Sequence, residues 1–234
     1  MRLVNFRDLG GLPLASGGAF PRGRLYRSGT FELLTPAEAA GLASSLGVAT
    51  VIDLRAPSER ERSHRSFPAR LDVLRIPFLT EIDPEWEHPI DQSPFAVAGR
   101  YLDMLERQGR RALRSIITAI TPDRLPMVIH CSAGKDRTGI VMAILLALVG
   151  VPDEAIAADY AQSGPDLQLL ADDPATAGMF APDPPNEYDS LPETMRLFLD
   201  GMRQRYGSSE RLVISSDVEA DDLHRARAAL LEPK

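Results

Sequence analysis

Cysteine and lysine are the residues that this chain nearly lacks. Cys131 is the only cysteine among 234 residues, so no internal disulfide can form and nothing requires an oxidising compartment. Lysine occurs only at Lys135 and Lys234, and arginine supplies the remaining strong bases. A lysine close to the only cysteine indicates that a compact ammonium group has a use there, as a contact for an anionic group such as a second phosphate. A surface charge in an exposed turn is the alternative.

Other absences exclude whole classes of protein. No apolar stretch reaches the ~20 residues of a membrane-spanning helix, and the first residues, MRLVNFRDLGG, lack the apolar run of a signal peptide. The formal net charge is −7 and no basic cluster stands out, which argues against nucleic acid as a partner. We therefore expect a protein that is cytoplasmic, or secreted without a conventional signal peptide, and that has no integral membrane segment. No pattern specifies an oligomeric state.

Apolar runs and helix signals alternate along the chain. Val48–Leu54 is an apolar, β-branched run typical of an interior parallel strand. Thr35, followed by Pro36 and then by Glu38, forms a capping box and predicts that a helix begins there. A chain of this length with 44% hydrophobic residues can bury a full core. We expect an α/β fold with a central, mostly parallel sheet flanked by helices.

The segment His130–Gly139 reads HCSAGKDRTG and lies between an apolar strand end and the apolar helix Ile140–Val149. At a turn from strand to helix, the first N–H groups of the helix have no intrahelical partners and favour an anion. Cys131 lies beneath the same N–H groups and beside Arg137, and both effects stabilise a thiolate. The segment therefore predicts a phosphate-binding loop with a nucleophile at its base.

The loop side chains fit a phosphoryl group. The planar fork of Arg137 can hold two phosphoryl oxygens, and Thr138 can donate a hydrogen bond to the sulfur. We predict that the substrate phosphate contacts the residues of the loop, which are Ser132, Ala133, Gly134, Lys135, Asp136, Arg137 and Thr138. A buried structural cysteine is one alternative. A Walker-type nucleotide loop is another, but that motif has Ser or Thr after its lysine, where this chain has Asp136.

HCSAGKDRTG resembles the signature loop of the cysteine-dependent protein tyrosine phosphatases. Its Lys-Asp pair resembles the bacterial branch of atypical tyrosine and dual-specificity, phosphoinositide-active phosphatases. Four other segments resemble that branch in the same order: NFRDLGG, GRLYRS, VIDLR and GVPDEAIAADY. The resemblance implies a three-layer, tyrosine-phosphatase-like fold with a helical lid insertion. It also implies one catalytic domain over residues 1–234, with a lid-like segment at about 163–206, and phosphorylated proteins or phosphoinositides as partners.

The expected reaction has two steps and uses no metal or other cofactor. Cys131 attacks phosphorus and expels the alcohol or phenol, and water then hydrolyses the phosphocysteine. The leaving oxygen needs a proton, and Asp136 is the nearest acid by sequence, followed by Asp53. Each aspartate has an equally weighted alternative role. Asp136 would instead orient Arg137 or Lys135 through an ion pair, and Asp53 would cap the loop or neutralise an arginine.

Several further residues are assigned supporting or structural roles. We predict that His130 is a buried hydrogen-bonding support and that Arg55 buttresses the site. The acidic segment Thr80–Pro94 is predicted to be a solvated loop, with a mobile acid as the alternative. Residues 59–62 are predicted to be a solvated charge run.

Two other classes of function stay open beside a phosphatase. A catalytically silent phosphate-binding protein would lack the nucleophile, the arginine or the hydroxyl, whereas this chain retains all three. A rhodanese-like sulfurtransferase also places a cysteine in an anion loop, but the arginine-threonine ending argues against it.

Overall fold

The computed structural model describes residues 4–61, 71–81, 91–174 and 189–233. Five strands form one sheet in the spatial order β1-β2-β5-β3-β4. The strands are β1 Arg7–Asp8, β2 Leu25–Ser28, β3 Thr50–Asp53, β4 Asp72–Arg75 and β5 Met127–His130. Neighbouring strands are parallel except for β1, which pairs antiparallel with β2. The predicted, mostly parallel sheet is confirmed.

The register of the parallel strands aligns the C-terminal ends of β2, β3 and β5. In the ladder, His130 at the end of β5 is the partner of Ser28 on one side and of Asp53 on the other. Because parallel strands end at the same edge, the segments that follow them converge there, where open α/β sheets bind their ligands. This edge carries the loop that follows β5.

The helices are α1 Pro36–Ser45, α2 Pro57–Glu61, α3 Pro94–Met104, α4 Arg110–Ala119, α5 Asp136–Leu148, α6 Asp153–Ala161, α7 Ser163–Asp172, α8 Pro192–Tyr206, α9 Ser209–Ile214 and α10 Ala220–Leu231. A π-helical turn, Leu105–Gly109, joins α3 to α4. The predicted capping box of α1 is confirmed. The Thr35 hydroxyl accepts a hydrogen bond from Glu38 N at 3.2 Å, and the Glu38 carboxylate accepts one from Thr35 N at 2.9 Å.

Alternate residues of the central strands face two different layers. Ile52 and Ile129 belong to a large apolar cluster that includes buried residues of α3, α4, α5, α6, α8 and α10. Val51 and Val128 belong to a second cluster, which includes Leu42 of α1. Since successive side chains of a strand point to opposite faces, the sheet is the middle of three layers. Helix α5 is buried on nearly all sides, since ten of its thirteen residues are buried.

The two described helices of the segment predicted to be lid-like, 163–206, pack in different apolar clusters. Helix α7 packs Leu167 and Leu170 on Val4, beside Ala133 of the phosphate-binding loop. Helix α8 buries Phe198 completely and belongs to the main apolar cluster. Residues 175–188 of this segment lie outside the described residues, and the lid stays a prediction. Most of the predicted acidic loop, residues 82–90, also lies outside them.

None of the helices within the described residues is both long enough and apolar enough to span a lipid bilayer.

Candidate active site

Cys131 follows β5 directly and is 2% exposed. Its sulfur accepts a hydrogen bond from the Thr138 hydroxyl at 3.2 Å. Thr138 lies in the first turn of α5, so the sulfur is placed at the N-terminus of a buried helix of thirteen residues. The sulfur therefore faces both a hydroxyl donor and the positive end of the helix dipole.

Three consecutive carbonyl oxygens of the loop accept hydrogen bonds from outside it. The bonds run from Thr30 N to Ser132 O at 2.6 Å, from Asn5 Nδ2 to Ala133 O at 3.2 Å, and from Arg27 Nη2 to Gly134 O at 2.7 Å. In a trans peptide the C=O and the following N–H point in opposite directions. The N–H groups of the three peptides therefore point away from these partners, towards the inside of the loop. Such a set of amides forms a concave anion site.

Glycine is required at the centre of this loop. Gly134 has a φ of 74°, in the left-handed region. A Cβ atom at this position would lie 2.5 Å from both Ser28 O and Gly29 N. Both the dihedral angle and the close approach of β2 thus exclude other residues without a shift of the backbone.

Two arginines, the buried Arg27 and the partly buried Arg7, meet at the carboxylate of Asp159 behind the loop. Besides its bond to the loop carbonyl, Arg27 donates to Asp159 Oδ2 at 2.6 Å, and Arg7 Nε donates to Asp159 Oδ1 at 2.6 Å. Burial disfavours the ionised carboxylate, but the two guanidinium groups outweigh it and lower the pKa of Asp159. All three residues lie in segments that carried the family resemblance, yet the sequence analysis gave none of them a role. An arginine inside the strand LYRS was the available signal.

Arg137 is held by a residue that the sequence analysis missed. Its Nη1 and Nη2 donate to Glu59 Oε2 and Oε1 at 2.5 and 2.8 Å, and the Ser132 hydroxyl donates to Oε1 at 2.6 Å. Burial raises the pKa of Glu59, but Arg137 outweighs burial and lowers it to about 2. The predicted solvated charge run is therefore wrong for Glu59, whose side chain is 13% exposed. Its position in the first turn after β3 was the available signal.

Asp136 lies at the rim, with a side chain that is 41% exposed. Its Oδ1 accepts a hydrogen bond from the Tyr101 hydroxyl at 2.5 Å and lies 3.5 Å from Lys135 Nζ. Partial burial disfavours the ionised carboxylate, but Lys135 and Tyr101 outweigh it and lower the pKa of Asp136. Lys135 itself is only 3% exposed, so it is not the surface charge of an exposed turn. The geometry includes the ion pair with Lys135 and leaves an accessible carboxyl group next to Arg137.

Asp53 is 1% exposed, and both of its oxygens face Arg55. Arg55 Nε and Nη2 donate to Oδ1 and Oδ2 at 3.0 and 2.9 Å, and His130 Nε2 lies 3.7 Å from Oδ1. Burial disfavours ionisation, but the hydrogen bonds from Arg55 outweigh it and lower the pKa of Asp53. The structure thus places Asp53 where it neutralises an arginine, the alternative to a catalytic acid, and places Arg55 beside the strand that carries the nucleophile.

His130 is completely buried at the end of β5. Its Nδ1 lies 3.0 Å from the carbonyl oxygen of Cys131. Burial lowers the pKa of His130 to about 4, although Asp53 acts in the opposite direction. The ring is therefore neutral near pH 7, and its Nδ1–H donates to that carbonyl oxygen. Within the described residues, no three His, Cys, Asp or Glu side chains are grouped as metal ligands.

Comparison with known proteins agrees with the loop geometry. A family model described as "Tyrosine phosphatase family" matches residues 1–232. The chain belongs to the tyrosine phosphatase family. The resemblance inferred from HCSAGKDRTG is therefore confirmed.

Three curated proteins with similar sequences are named as phosphatases. The triple specificity protein phosphatase PtpB of Mycobacterium tuberculosis is 33% identical over 197 residues, which cover 71% of this chain and 68% of PtpB. A tyrosine-protein phosphatase of Nostoc commune is 30% identical over 159 residues, 67% of this chain and 53% of the relative. A relative from Cupriavidus necator is 34% identical over 170 residues, 69% of this chain and 60% of the relative. The chain thus spans 53–68% of the length of these curated relatives.

Among solved structures, the core catalytic domain of the PP-IP phosphatase SIW14 from S. cerevisiae aligns with a TM-score of 0.45 and 13% identity. The alignment covers 91% of this chain and 96% of that chain.

Proposed function

We propose that this member of the family is a cysteine-dependent phosphatase, with one catalytic domain over residues 1–234, that hydrolyses phosphotyrosine. One observation carries the proposal: the Cys131 sulfur, the inward-facing N–H groups and the Arg137 side chain belong to one loop whose backbone is fixed from outside. A tetrahedral dianion placed in that loop meets a nucleophile on one side and donors on its oxygens.

In the first step, the Cys131 thiolate attacks phosphorus in line with the leaving group. The S–P bond forms as the P–O bond to the alcohol or phenol breaks. The loop N–H groups and Arg137 bind the three non-bridging oxygens and stabilise their charge in the transition state. Arg137 can do so while bound to Glu59, because guanidinium has five N–H donors and the pair uses two of them.

Asp136 is the proposed general acid. It is the partly exposed carboxyl group beside Arg137, and it gives a proton to the leaving oxygen as the P–O bond breaks. In the second step, its carboxylate takes a proton from the water that attacks the phosphocysteine, and the thiolate leaves. Asp53 is proposed as a positioning residue, because both of its oxygens accept hydrogen bonds from Arg55. Asp53 lies in register with His130, directly before the loop.

We further propose that the substrates include phosphoserine, phosphothreonine and phosphoinositides. The description of PtpB as a triple specificity phosphatase supports a range wider than phosphotyrosine. Lys135 adds a second cation beside the loop, which would attract a second phosphate of a substrate. A silent binding protein and a sulfurtransferase are not favoured, because the thiol, the arginine and the hydroxyl are all present in one loop.

The test is phosphate release by the wild-type protein and by Cys131→Ser in the presence of EDTA. The substrates are phosphotyrosine, phosphoserine and phosphothreonine peptides and mono- and bisphosphorylated phosphoinositides. We expect metal-independent release by the wild type, and none by Cys131→Ser, which keeps the shape of the loop but lacks the thiolate. Absence of release from every substrate would overturn the proposal. Formation of a persulfide with thiosulfate would instead identify a sulfurtransferase.

A further inference from the structure

Buried hydroxyl groups form a chain that ends at Asp136. The Tyr101 hydroxyl donates to Asp136 Oδ1 at 2.5 Å, and the Tyr160 hydroxyl lies 2.8 Å from the Tyr101 hydroxyl. Ser190 forms a side-chain hydrogen bond with Tyr160. The reaction steps described above use none of these hydroxyls, and the sequence patterns gave them no role.

The direction of donation follows from the chemistry of the carboxylate. An ionised carboxylate only accepts hydrogen bonds, so the hydroxyl hydrogen of Tyr101 points at Asp136. The Tyr101 oxygen then accepts the hydrogen of Tyr160, since its own hydrogen is already used. Hydrogen bonds in a chain of this kind polarise and strengthen one another.

The donor hydroxyl is held rigidly by elements that do not carry the nucleophile. Tyr101 of α3 and Tyr160 of α6 are each 1% exposed. The Tyr101 ring makes edge contacts with Tyr160 and with Phe198 of α8, both at 6.2 Å between centroids. The Tyr160 ring also packs on the first turn of α5, 3.2 Å from where a Cβ at Gly139 would lie. The hydroxyl therefore defines a fixed point to which the carboxylate is drawn.

Tyr101 and Lys135 contact the same oxygen of the Asp136 carboxylate. Oδ1 faces both Tyr101 and Lys135, whereas no donor of the described residues contacts Oδ2. Oδ2 is thus the oxygen that can carry a proton to a leaving group. Among the described residues, the charged and titratable groups that face Asp136 are Lys135 and Arg137 from its own segment, Tyr101 from α3 and Tyr160 from α6.

We propose that Tyr101 is the positioning residue of Asp136, that Tyr160 orients Tyr101, and that this pair sets how well the enzyme hydrolyses alkyl relative to aryl phosphates. The inference rests on the proposed phosphatase function and deepens it. The proton moves from Asp136 Oδ2 to the leaving oxygen as the P–O bond breaks. Tyr101 keeps its own proton throughout, since burial and the neighbouring Asp136 raise its pKa well above the usual value.

The dependence on leaving group follows from the need for the proton. An alkoxide leaves poorly without protonation, whereas p-nitrophenolate leaves readily as an anion. General acid catalysis contributes about 10²–10⁴-fold where it is needed, so a misdirected acid loses part of this factor. Alkyl phosphates should therefore be affected by loss of the Tyr101 hydroxyl, and p-nitrophenyl phosphate should be nearly unaffected.

The test compares Tyr101→Phe with the wild type on a phosphoserine peptide and on p-nitrophenyl phosphate. We expect kcat on the peptide to fall by about 10–100-fold and kcat on the aryl ester by less than about threefold. The descending limb of the peptide pH profile should move to higher pH, because the lost hydrogen bond stabilised ionised Asp136. The matched control is Tyr26→Phe, a buried tyrosine stacked on Phe6 in the sheet. It should behave as the wild type.

Equal losses of kcat on both substrates would show that Tyr101 serves only packing. An unchanged kcat with an unmoved descending limb of the pH profile would show the same. Either result would overturn the inference. A wild type that hydrolyses neither substrate would instead overturn the proposed function, so the two failures are distinct. Thermal unfolding and vanadate binding show whether each variant has folded. If Tyr101→Phe does not fold, Tyr160→Phe is the test variant. We expect kcat to fall more on the peptide than on p-nitrophenyl phosphate, by a smaller factor than in Tyr101→Phe. An equal loss on both substrates would overturn the inference.

Discussion

Replacement of Glu59 by glutamine removes one negative charge from the Arg137 pair while keeping the shape of the side chain. Folding lowers the pKa of this carboxyl group from 4.5 to about 2. One pKa unit corresponds to 1.36 kcal/mol, so the ionised form gains roughly 3 kcal/mol in the native state. This contribution is present above pH 4.5 and is lost as the pH falls through about 2. Glu59→Gln should lack this contribution at neutral pH. Its free energy of unfolding should therefore fall less steeply than that of the wild type as the pH decreases below 4.5.

The same substitution should weaken catalysis. A glutamine amide would present a donor to one of the Arg137 donors, so the guanidinium would no longer be fixed beside the loop. A charge-assisted hydrogen bond is worth about 1.5–3 kcal/mol, which corresponds to a fall in kcat/KM of about 10–100-fold. The assay is hydrolysis of p-nitrophenyl phosphate, with urea unfolding measured from pH 2 to pH 7.

The matched control is Glu154→Gln. Glu154 accepts two hydrogen bonds from Arg196, at 2.8 and 2.7 Å, but this pair lies on the surface. Solvent screens such pairs, so the control should keep the wild-type kcat/KM and stability. A folded Glu59→Gln protein with wild-type kcat/KM would refute the argument that Glu59 positions Arg137.

Two further perturbations test the loop. Gly134→Ala should reduce vanadate affinity, measured by calorimetry, at least about tenfold, and it should destabilise the fold by about 1–3 kcal/mol. The control is Gly150→Ala. Gly150 also has a positive φ, of 86°, but an added Cβ there would have no atom within 4 Å, so vanadate affinity should be unchanged. Because unfolded histidine binds a proton that buried His130 excludes, wild-type stability should fall by roughly 3 kcal/mol as the pH drops from 6.5 to about 4. His130→Asn should remove that slope from urea midpoints, and an unchanged slope would contradict the assignment.

The chemistry of the loop could be predicted from the sequence, because the residues that indicate it lie within a few positions of one another. The strand end, Cys131, Arg137 and the helix that follows occupy one short segment, so their spacing alone predicts an anion site with a thiolate. The capping box of α1 depends on residues three apart, and it formed as predicted. The β-branched run before Asp53 similarly predicted an interior parallel strand.

The partners of those residues depended on the tertiary structure. Glu59 is 78 residues from Arg137, Arg27 is 107 residues from Gly134, and Tyr101 is 35 residues from Asp136. A single sequence contains no periodicity that relates positions so far apart. Their contacts arise because strand register and helix packing bring separate segments to one edge of the sheet. The sequence by itself thus determined the nucleophile and its anion loop, whereas the fold decided which distant charges and hydroxyls hold that loop in place, since burial strengthens such contacts only once the chain has packed.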